Sequence, residues 1–287
     1  MKQLTRIERR EARIRRIRNT LGRQREVVPN ILHGHHHIAL SQKYHEHIGT
    51  FLRTNAGDPA TTVRHLGRQF SRQHHTDPFG QNFLPKLKRH LLPRVLKFLQ
   101  NRIGGEGADD NNISHDSILF KHDRIYRHSL LRINYTAYDV RRSQDVVHTS
   151  TSHCNIMMLA ASSSNNADAS PSHPFCYAQV LGIYHANIVY VGPGMVDYQP
   201  QCFEFLWVRW YKVMEKVPAG WTARRLDRIR FPPLAKDDSF GFVDPSDVLR
   251  GCHIMPRFSK GQLHSDGKGL SKRAGDSSDW AEYYVGR

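Results

Sequence analysis

Residues 202–213, "CFEFLWVRWYKV", decide the fold, because they are apolar at both sets of alternating positions. One set contains Phe203, Phe205, Trp207 and Tyr211, and the other contains Leu206, Val208 and Trp210. Successive side chains of a β-strand point to opposite faces of its sheet, so a strand with this pattern is covered on both faces. The pattern therefore predicts a central strand or a strand of a closed barrel.

A second apolar stretch comes earlier in the chain, at residues 176–192, "CYAQVLGIYHANIVYVG". Polar residues near His185 to Asn187 separate its two apolar halves. This arrangement favours two strands joined by a turn, and we predict a hairpin here.

Further strand patterns surround these two stretches. Residues 130–142 alternate β-branched and aromatic residues, residues 153–160 form a compact apolar run, and residues 247–255 predict one more strand. We therefore predict a β-rich, antiparallel β-barrel-like domain over residues 113–258. The Gly- and Ser-rich residues 259–287 are predicted to be a mostly flexible tail.

The first third of the chain is basic and is predicted to be helical. Within residues 5–25, Ile7, Ile14 and Leu21 recur every seven residues in an arginine-rich segment. This spacing places one narrow apolar stripe along a helix that is otherwise covered by arginine. We expect an arginine-rich helix over residues 1–30, which either lies along phosphates or packs its stripe on another helix.

A second helix is predicted at residues 83–99, "FLPKLKRHLLPRVLKFL", where leucine and valine recur at helical spacing. Pro93 predicts a kink or a break, because it removes one backbone donor. We assign residues 31–103 to a basic, His-rich helical region and residues 104–112 to a linker of glycine and acidic residues. The predicted fold class is α+β, with a basic helical N-terminal part followed by the β-barrel-like domain.

Charge is unevenly distributed along the chain. Residues 1–103 contain 21 lysines and arginines against 6 acids, which leaves +15 of the total charge of +16. A basic segment beside a nearly neutral one favours contact with a polyanion, most simply nucleic acid without sequence preference, although a solvated basic surface has the same composition. The candidate nucleic-acid-binding residues are Arg6, Arg9, Arg10, Arg13, Arg15, Arg16, Arg18, Lys86, Lys88 and Arg89.

Histidines are concentrated in residues 33–47, "HGHHHIALSQKYHEH". A zinc site usually combines histidine with cysteine or carboxylate ligands on a rigid scaffold, and only Glu46 lies among these histidines. A second set has irregular spacing across a polar loop: His153, Cys154, His173 and Cys176. We predict no functional metal site and no cofactor.

No catalytic motif accompanies these patterns. The sequence lacks a Gly-x-Ser-x-Gly elbow, a Gly-x-x-x-x-Gly-Lys-Ser/Thr phosphate loop and a His-Glu-x-x-His helix. We name no catalytic residue and predict that the chain is not an enzyme. It also lacks an apolar run long enough for a membrane span, so we expect a soluble intracellular protein without membrane contact.

Aromatic side chains are the remaining candidates, because ring faces attract cations and nucleobases. Aromatic residues in strands are more often part of the core, and we expect this of Tyr177, Tyr184, Tyr190, Trp207, Trp210 and Tyr211. Trp221, which follows Gly220, is the predicted exposed aromatic site.

The order of these motifs resembles the C-terminal region of large transposon-encoded proteins of mushroom-forming fungi, relatives of the Plavaka and CACTA-type transposases. The stretches that carry the resemblance are "HHHIALSQKYHEHIGTFLRTNAGDPA", "FLPKLKRHLL", "RIYRHSLLRINYTAYDVRRSQD", "YAQVLGIYHANIVYVG", "FEFLWVRWY", "FGFVDPSDVLRGCHIMPRF" and "DWAEYYV". In such proteins the acidic nuclease core lies upstream. The resemblance therefore implies a non-catalytic accessory region in the nucleus, a chromatin or transposase partner, and a histidine run that is a basic, pH-sensitive connector without a metal.

A fainter likeness is to the strand order of bromo-adjacent homology domains, carried by "YAQVLGIY", "FLWVRWY" and "DVLRGCHIMPRF". Trp207, Arg209, Trp210 and Tyr211 match the run of the central strand, mostly as core residues. We expect a transposon-derived accessory region with sequence-independent nucleic-acid affinity and a β-barrel docking module. The alternatives are a chromatin-reader or protein-interaction barrel, or a non-functional transposon remnant that ends at "YYVGR", where longer relatives continue.

Overall fold

The computed structural model describes residues 36–39, 45–47, 78–80, 82–103, 114–136, 142–160, 173–193, 195, 197–214 and 225–286. Within these residues it contains one α-helix, α1 (Phe83–Ile103), and fourteen β-strands. The strands are β1 (His36–Ala39), β2 (His45–His47), β3 (Ile118–Phe120), β4 (Arg124–His128), β5 (Leu130–Thr136), β6 (Arg142–His148), β7 (Asn155–Leu159), β8 (Phe175–Tyr190), β9 (Gln201–Val213), β10 (Arg228–Arg230), β11 (Phe240–Val243), β12 (Val248–Gly251), β13 (His253–Pro256) and β14 (Tyr283–Gly286).

Strands β8 and β9 form the centre of the structure, and we call this pair the central ribbon. β8 has 16 residues and β9 has 13, and they pair antiparallel from Tyr177 opposite Tyr211 to Ile188 opposite Gln201. On its other edge β9 pairs with β10 and β11, while β8 pairs with β3, β4 and β7. Because β9 has partners along both edges, the prediction of a central strand at residues 202–213 is confirmed.

The other strands extend the central ribbon into a large sheet. Eleven described strands belong to it, in the order β12-β7-β8-β9-β10-β14-β13, with β11 on β9, β3 and β4 on β8, and β2 on β4. Strands β1, β5 and β6 form a separate small sheet. Neither sheet closes on itself in the part of the chain that the structure describes. The antiparallel β-architecture is therefore confirmed, and the predicted barrel is not.

The helix and the small sheet cover opposite faces of the central ribbon. One alternating set of ribbon residues packs against α1, in a cluster that includes Phe83, Leu87, Leu91, Val95, Tyr184, Phe205 and Trp207. The other set packs against the small sheet, in a cluster that includes Ile38, Leu131, Ile133, Val180, Ile183, Leu206 and Val208. Burial of both sets explains why β9 is apolar at consecutive positions, because each face is shielded from water.

A third apolar cluster lies at the far end of the central ribbon and includes Tyr177, Tyr211, Ile229, Tyr283 and Val285. Through Tyr283 and Val285 it incorporates β14, which pairs with both β10 and β13. The region predicted as a mostly flexible tail, residues 259–287, thus contributes an interior strand to the large sheet. A run of four residues after a Gly- and Ser-rich segment gives little strand signal in the sequence.

The hairpin predicted for residues 176–192 is wrong. The single strand β8 replaces it, and the predicted turn at His185 to Asn187 lies inside β8, where His185 is opposite Glu204. A polar residue is stable inside a buried strand when it has a hydrogen-bond partner. His185 has one in the last residue of β4.

Helix α1 confirms the helical spacing seen in the sequence. It runs over 21 residues and continues through Pro93, so the predicted break is wrong. Pro93 lies on the exposed side of α1, where water can bind the backbone carbonyl that loses its partner. No helix within the described ranges is long and apolar enough to cross a membrane.

The His-rich region is partly strand. β1 pairs with β5 of the small sheet and β2 pairs with β4, although residues 31–103 are predicted to be a basic, His-rich helical region. Pairing with strands 77 to 97 positions later in the chain leaves no local pattern in a run of histidines. The predicted arginine-rich helix, residues 1–30, and the predicted linker, residues 104–112, lie outside the described residues.

Truncation of a helix residue that faces the sheet tests whether α1 and the central ribbon share one core. Leu91 is fully buried there, so Leu91→Ala leaves a cavity and is expected to lower the free energy of unfolding by about 2–5 kcal/mol. Lys97→Ala, on the exposed side of α1, is the matched control and is expected to change it by less than about 0.5 kcal/mol. Denaturant unfolding followed by tryptophan fluorescence measures both, and equal effects of the two substitutions would contradict a shared core.

Candidate functional site

Four titratable side chains meet between the two sheets, and we call His36, His128, His185 and Glu204 the interlayer cluster. His36 begins β1 of the small sheet, and His128 ends β4 of the large sheet. His185 and Glu204 lie opposite each other on β8 and β9. Both alternate with ribbon residues that pack on α1, so they point to the face that the small sheet covers.

Two histidines of the cluster are in direct contact. The distance between Nε2 of His128 and Nδ1 of His185 is 2.6 Å, and both side chains are buried. One of these two nitrogens must carry a proton and the other must be unprotonated for the hydrogen bond to form. The ring of Tyr126 stacks on His185 with the ring centroids 4.5 Å apart, which covers the pair on one side.

A histidine–carboxylate contact joins the small sheet to the central ribbon. Nε2 of His36 donates to Oε2 of Glu204 across 2.7 Å. Toward the opposite face, Nη1 of Arg94 on α1 donates to the backbone carbonyl of Glu204 across 2.8 Å. Glu204 is therefore tied to the small sheet by its side chain and to the helix by its backbone.

The electrostatics of the cluster favour a neutral His185 and an ionised Glu204. Burial, together with the neighbouring His128, lowers the pKa of His185 from 6.5 to about 4, although Glu204 acts in the opposite direction. Burial also acts to raise the pKa of Glu204. The hydrogen bond from His36 and the charges of the three histidines outweigh that effect and hold this pKa below its ordinary value. At neutral pH the carboxylate of Glu204 therefore accepts from His36 while His185 is uncharged.

Another histidine, His90, is partly buried on the helix side of the central ribbon. Burial and the neighbouring Arg94 lower the pKa of His90 from 6.5 to about 4, against a weaker opposing effect of Asp244. Nε of Arg94 lies 2.8 Å from Oδ2 of Asp244, which begins the turn between β11 and β12. The ring of His90 stacks on Phe242 with centroids 5.9 Å apart. Neutral His90 thus packs where α1 meets β11.

His90 and His185 are poorly suited to proton transfer at neutral pH. A general base or acid works best when its pKa lies near the operating pH, whereas the pKa values of His90 and His185 are about 4. Among the described residues, no three histidine, cysteine or acidic side chains converge in a way that could hold a metal ion. The arrangement can instead connect three layers, because His36 of the small sheet and Arg94 of α1 both hydrogen-bond to Glu204 on β9.

The predicted nucleic-acid-binding residues on α1 have different environments. Nζ of Lys86 lies 3.1 Å from Oδ1 of Asp237, and Nζ of Lys88 lies 3.1 Å from Oδ1 of Asp116. Arg89 is exposed and has no ion pair in the described part of the chain. The surface of α1 is therefore not clearly basic, because acids of neighbouring turns neutralise several of its cations. The remaining predicted site residues, Arg6, Arg9, Arg10, Arg13, Arg15, Arg16, Arg18 and Trp221, lie outside the described residues.

The side chains of the second histidine–cysteine set in the sequence do not meet at one point either. His173 instead places its Nε2 3.0 Å from Oδ2 of the buried Asp227. The hydroxyl of Tyr177 donates to the same oxygen across 2.8 Å. This contact joins the start of β8 to the residue before β10 and so supports the third apolar cluster.

Most of the predicted core aromatics are also confirmed as buried, while Trp210 is partly exposed.

Three members of the interlayer cluster were missed by sequence reasoning: His128, His185 and Glu204. The available signal was a single polar residue within an otherwise apolar strand, as in "GIYHANIVY" and "CFEFLW". Such a residue needs a buried partner, because an unpaired polar group in a core is unfavourable. The partner comes from another strand, and nothing in the local sequence identifies it.

No protein-family model, curated protein or solved structure matches this chain. The proposed function therefore rests on the geometry of the described residues and on the charge of the sequence.

The lowered pKa values predict a loss of stability in mild acid. In the unfolded chain His90 and His185 bind protons near pH 6.5, and in the folded chain only near pH 4. The unfolded state therefore binds more protons within this window, so the free energy of unfolding falls as the pH drops from 6.5 to 4. The double substitution His90→Gln and His185→Gln is expected to make this decrease shallower.

Denaturant unfolding at a series of pH values measures the slope. His115→Gln is the matched control, because His115 is exposed and outside the cluster, and it should leave the slope unchanged. The electrostatic account would be contradicted if the double variant lost stability over this window as steeply as the unsubstituted protein.

Proposed function

We propose that this chain is a non-catalytic, transposon-derived accessory protein that binds nucleic acid without sequence preference through its basic first third. The β-rich part is a docking module that the helix and the two sheets keep rigid. The observation that carries this proposal is the distribution of charge, with +15 on residues 1–103 and +1 on the remainder. Lysine and arginine that neutralise phosphates release counterions, and this release favours binding to any sequence.

Within the described part of the basic third, the outward-facing side chains of α1 support this proposal. Arg89 and Lys97 are exposed on the same side of α1, two helical turns and therefore about 12 Å apart along the axis. Within the described ranges neither side chain forms an ion pair. By contrast, the cations on the flanks of α1 are paired with acids: Lys86, Lys88, Arg94 and Arg102. The outward-facing pair is available for phosphate contact.

The titratable groups of the described core support a role in binding rather than in catalysis. Catalytic acids and bases have pKa values tuned toward the pH at which they work. Here burial lowers the pKa of His90 and His185 to about 4, and burial raises the pKa of Cys252 to about 12. These shifts move each group away from neutral pH.

The motif order that resembles transposon-encoded proteins supports the proposed origin and a location in the nucleus. A second candidate function is a chromatin-reader or protein-interaction module. The specific observation in its favour is a group of exposed apolar side chains near the C-terminal end, on Phe258, Leu263 and Leu270.

Fluorescence anisotropy of a labelled DNA duplex, titrated with the full chain at several salt concentrations, tests the nucleic-acid proposal. Binding is expected to weaken steeply with salt and to be equal for unrelated duplex sequences. Substituting glutamine for both Arg89 and Lys97 is expected to lower the magnitude of the salt slope by about 2, because each phosphate contact contributes about one counterion.

Arg132→Gln is the matched control, because Arg132 is exposed on β5 and lies outside the basic third. It should leave the affinity unchanged. Absence of binding at low salt, or binding that does not respond to salt, would refute this function. A strong preference for one duplex sequence would refute the proposed lack of specificity.

A further inference from the structure

The segment from Arg257 to Glu282 turns three of its four acidic side chains inward, and Asp266 is the exception. The carboxylate of Asp276 is buried and accepts the backbone N–H groups of Leu270 and Ser271 across 2.7 and 2.9 Å. Asp279 is also buried and accepts from the guanidinium of Arg209 on β9. These acids hold the segment on the large sheet and leave little negative charge at its surface.

Four of the five cations of the same segment are exposed. The exposed basic side chains are Lys260, Lys268, Lys272 and Arg273. Asp266 is the single exposed acid between residues 257 and 282, since Glu282 is partly buried and ion-paired with Arg257 and Arg228. A surface whose exposed charged side chains are mainly lysine and arginine attracts a partner that carries carboxylates or phosphates.

Apolar side chains are exposed among these cations. Phe258, Leu263 and Leu270 are 71%, 55% and 64% exposed. They are three of the four large apolar side chains that are more than half exposed in the described chain, the other being Tyr198. Single exposed apolar residues are ordinary on a protein surface, but a group of them within one short segment indicates an interaction site.

The backbone that carries these side chains is held in place. The N–H of Leu263 donates to the carbonyl of Asp279 across 2.8 Å, and the N–H of Ala281 donates to the carbonyl of Gly261 across 3.1 Å. The ring of Phe258 meets the edge of Trp280 at a centroid distance of 4.9 Å. All three exposed apolar residues are thus anchored to the stretch between Asp276 and Ala281. A partner that binds them has less backbone entropy to overcome, because the surface is preorganised.

We propose that residues 258–273 form a docking surface for an acidic, amphipathic segment of a partner protein. Apolar side chains of such a segment would contact Phe258, Leu263 and Leu270, and its carboxylates would approach the surrounding lysines. Two of the three apolar side chains are leucines, which provide contact area but no aromatic face for base stacking, so the surface fits a protein better than a nucleic acid. This docking surface lies outside the basic third that binds nucleic acid in the proposed function.

Binding of a synthetic peptide to the full chain tests this proposal. The probe is a fluorescently labelled 18-residue peptide with leucine at helical spacing on one face and glutamate on the other, compared with a scrambled peptide of the same composition. The ordered peptide is expected to bind more tightly than the scrambled one. Leu270→Ser and Phe258→Ser are each expected to weaken binding by about tenfold, the scale of one apolar anchor.

Charge reversal provides a second set of variants that leaves the core untouched. Substituting glutamate for Lys260, Lys268 and Lys272 together is expected to abolish binding of the acidic peptide. The matched controls, Leu119→Ser and Lys121→Glu, change exposed residues on β3 and the turn that follows it and should have no effect.

Three results would overturn the proposal. The first is no peptide binding at about 1 mM, and the second is equal binding by the docking-surface variants and the unsubstituted protein. The third is that these variants change the binding of single-stranded DNA, or of vesicles containing phosphatidylserine, but do not change the binding of the peptide. Duplex binding, measured on the same preparations, reports separately on the basic third.

Discussion

The central constraint on this structure is that the antiparallel pair β8 and β9 is buried on both faces. A strand pair of this length has two apolar surfaces to remove from water, and one neighbouring layer can cover only one of them. Helix α1 covers the face that contains Trp207, and the small sheet covers the face that contains Val208. The shorter strands then occupy the edges of the pair, where its backbone groups would otherwise lack partners.

Polar residues within this buried pair have to find partners on a neighbouring strand or in a covering layer. His185 meets His128, and Glu204 meets His36, so one edge of the interface between the sheets is hydrogen-bonded rather than apolar. Unpaired polar groups in a core are unfavourable, and the contact between His36 and Glu204 therefore specifies how the small sheet sits on the large one. The contact between His128 and His185 links stability to acidity, because one of its two nitrogens must be unprotonated.

Sequence patterns predicted the parts of this structure that depend on residues close together in the chain. Two-sided apolar character identified β9 as central, and helical spacing identified α1, since both patterns record burial directly. The turn predicted near His185 failed because the partner that permits a histidine in a strand is 57 positions away. The interlayer cluster and the pairing of β1 were not predicted for the same reason. Both are assembled from strands that are distant in sequence.

Hydrogen–deuterium exchange of the whole protein, read by mass spectrometry, tests the central role of the β8–β9 pair most directly. If both faces of the pair are buried as described, amides of residues 183–190 and 203–211 should exchange only through global unfolding, with a free energy equal to that from denaturant unfolding. Edge strand β13 should open at a lower free energy. Exchange in the paired strands that is as fast as in β13 would contradict the account.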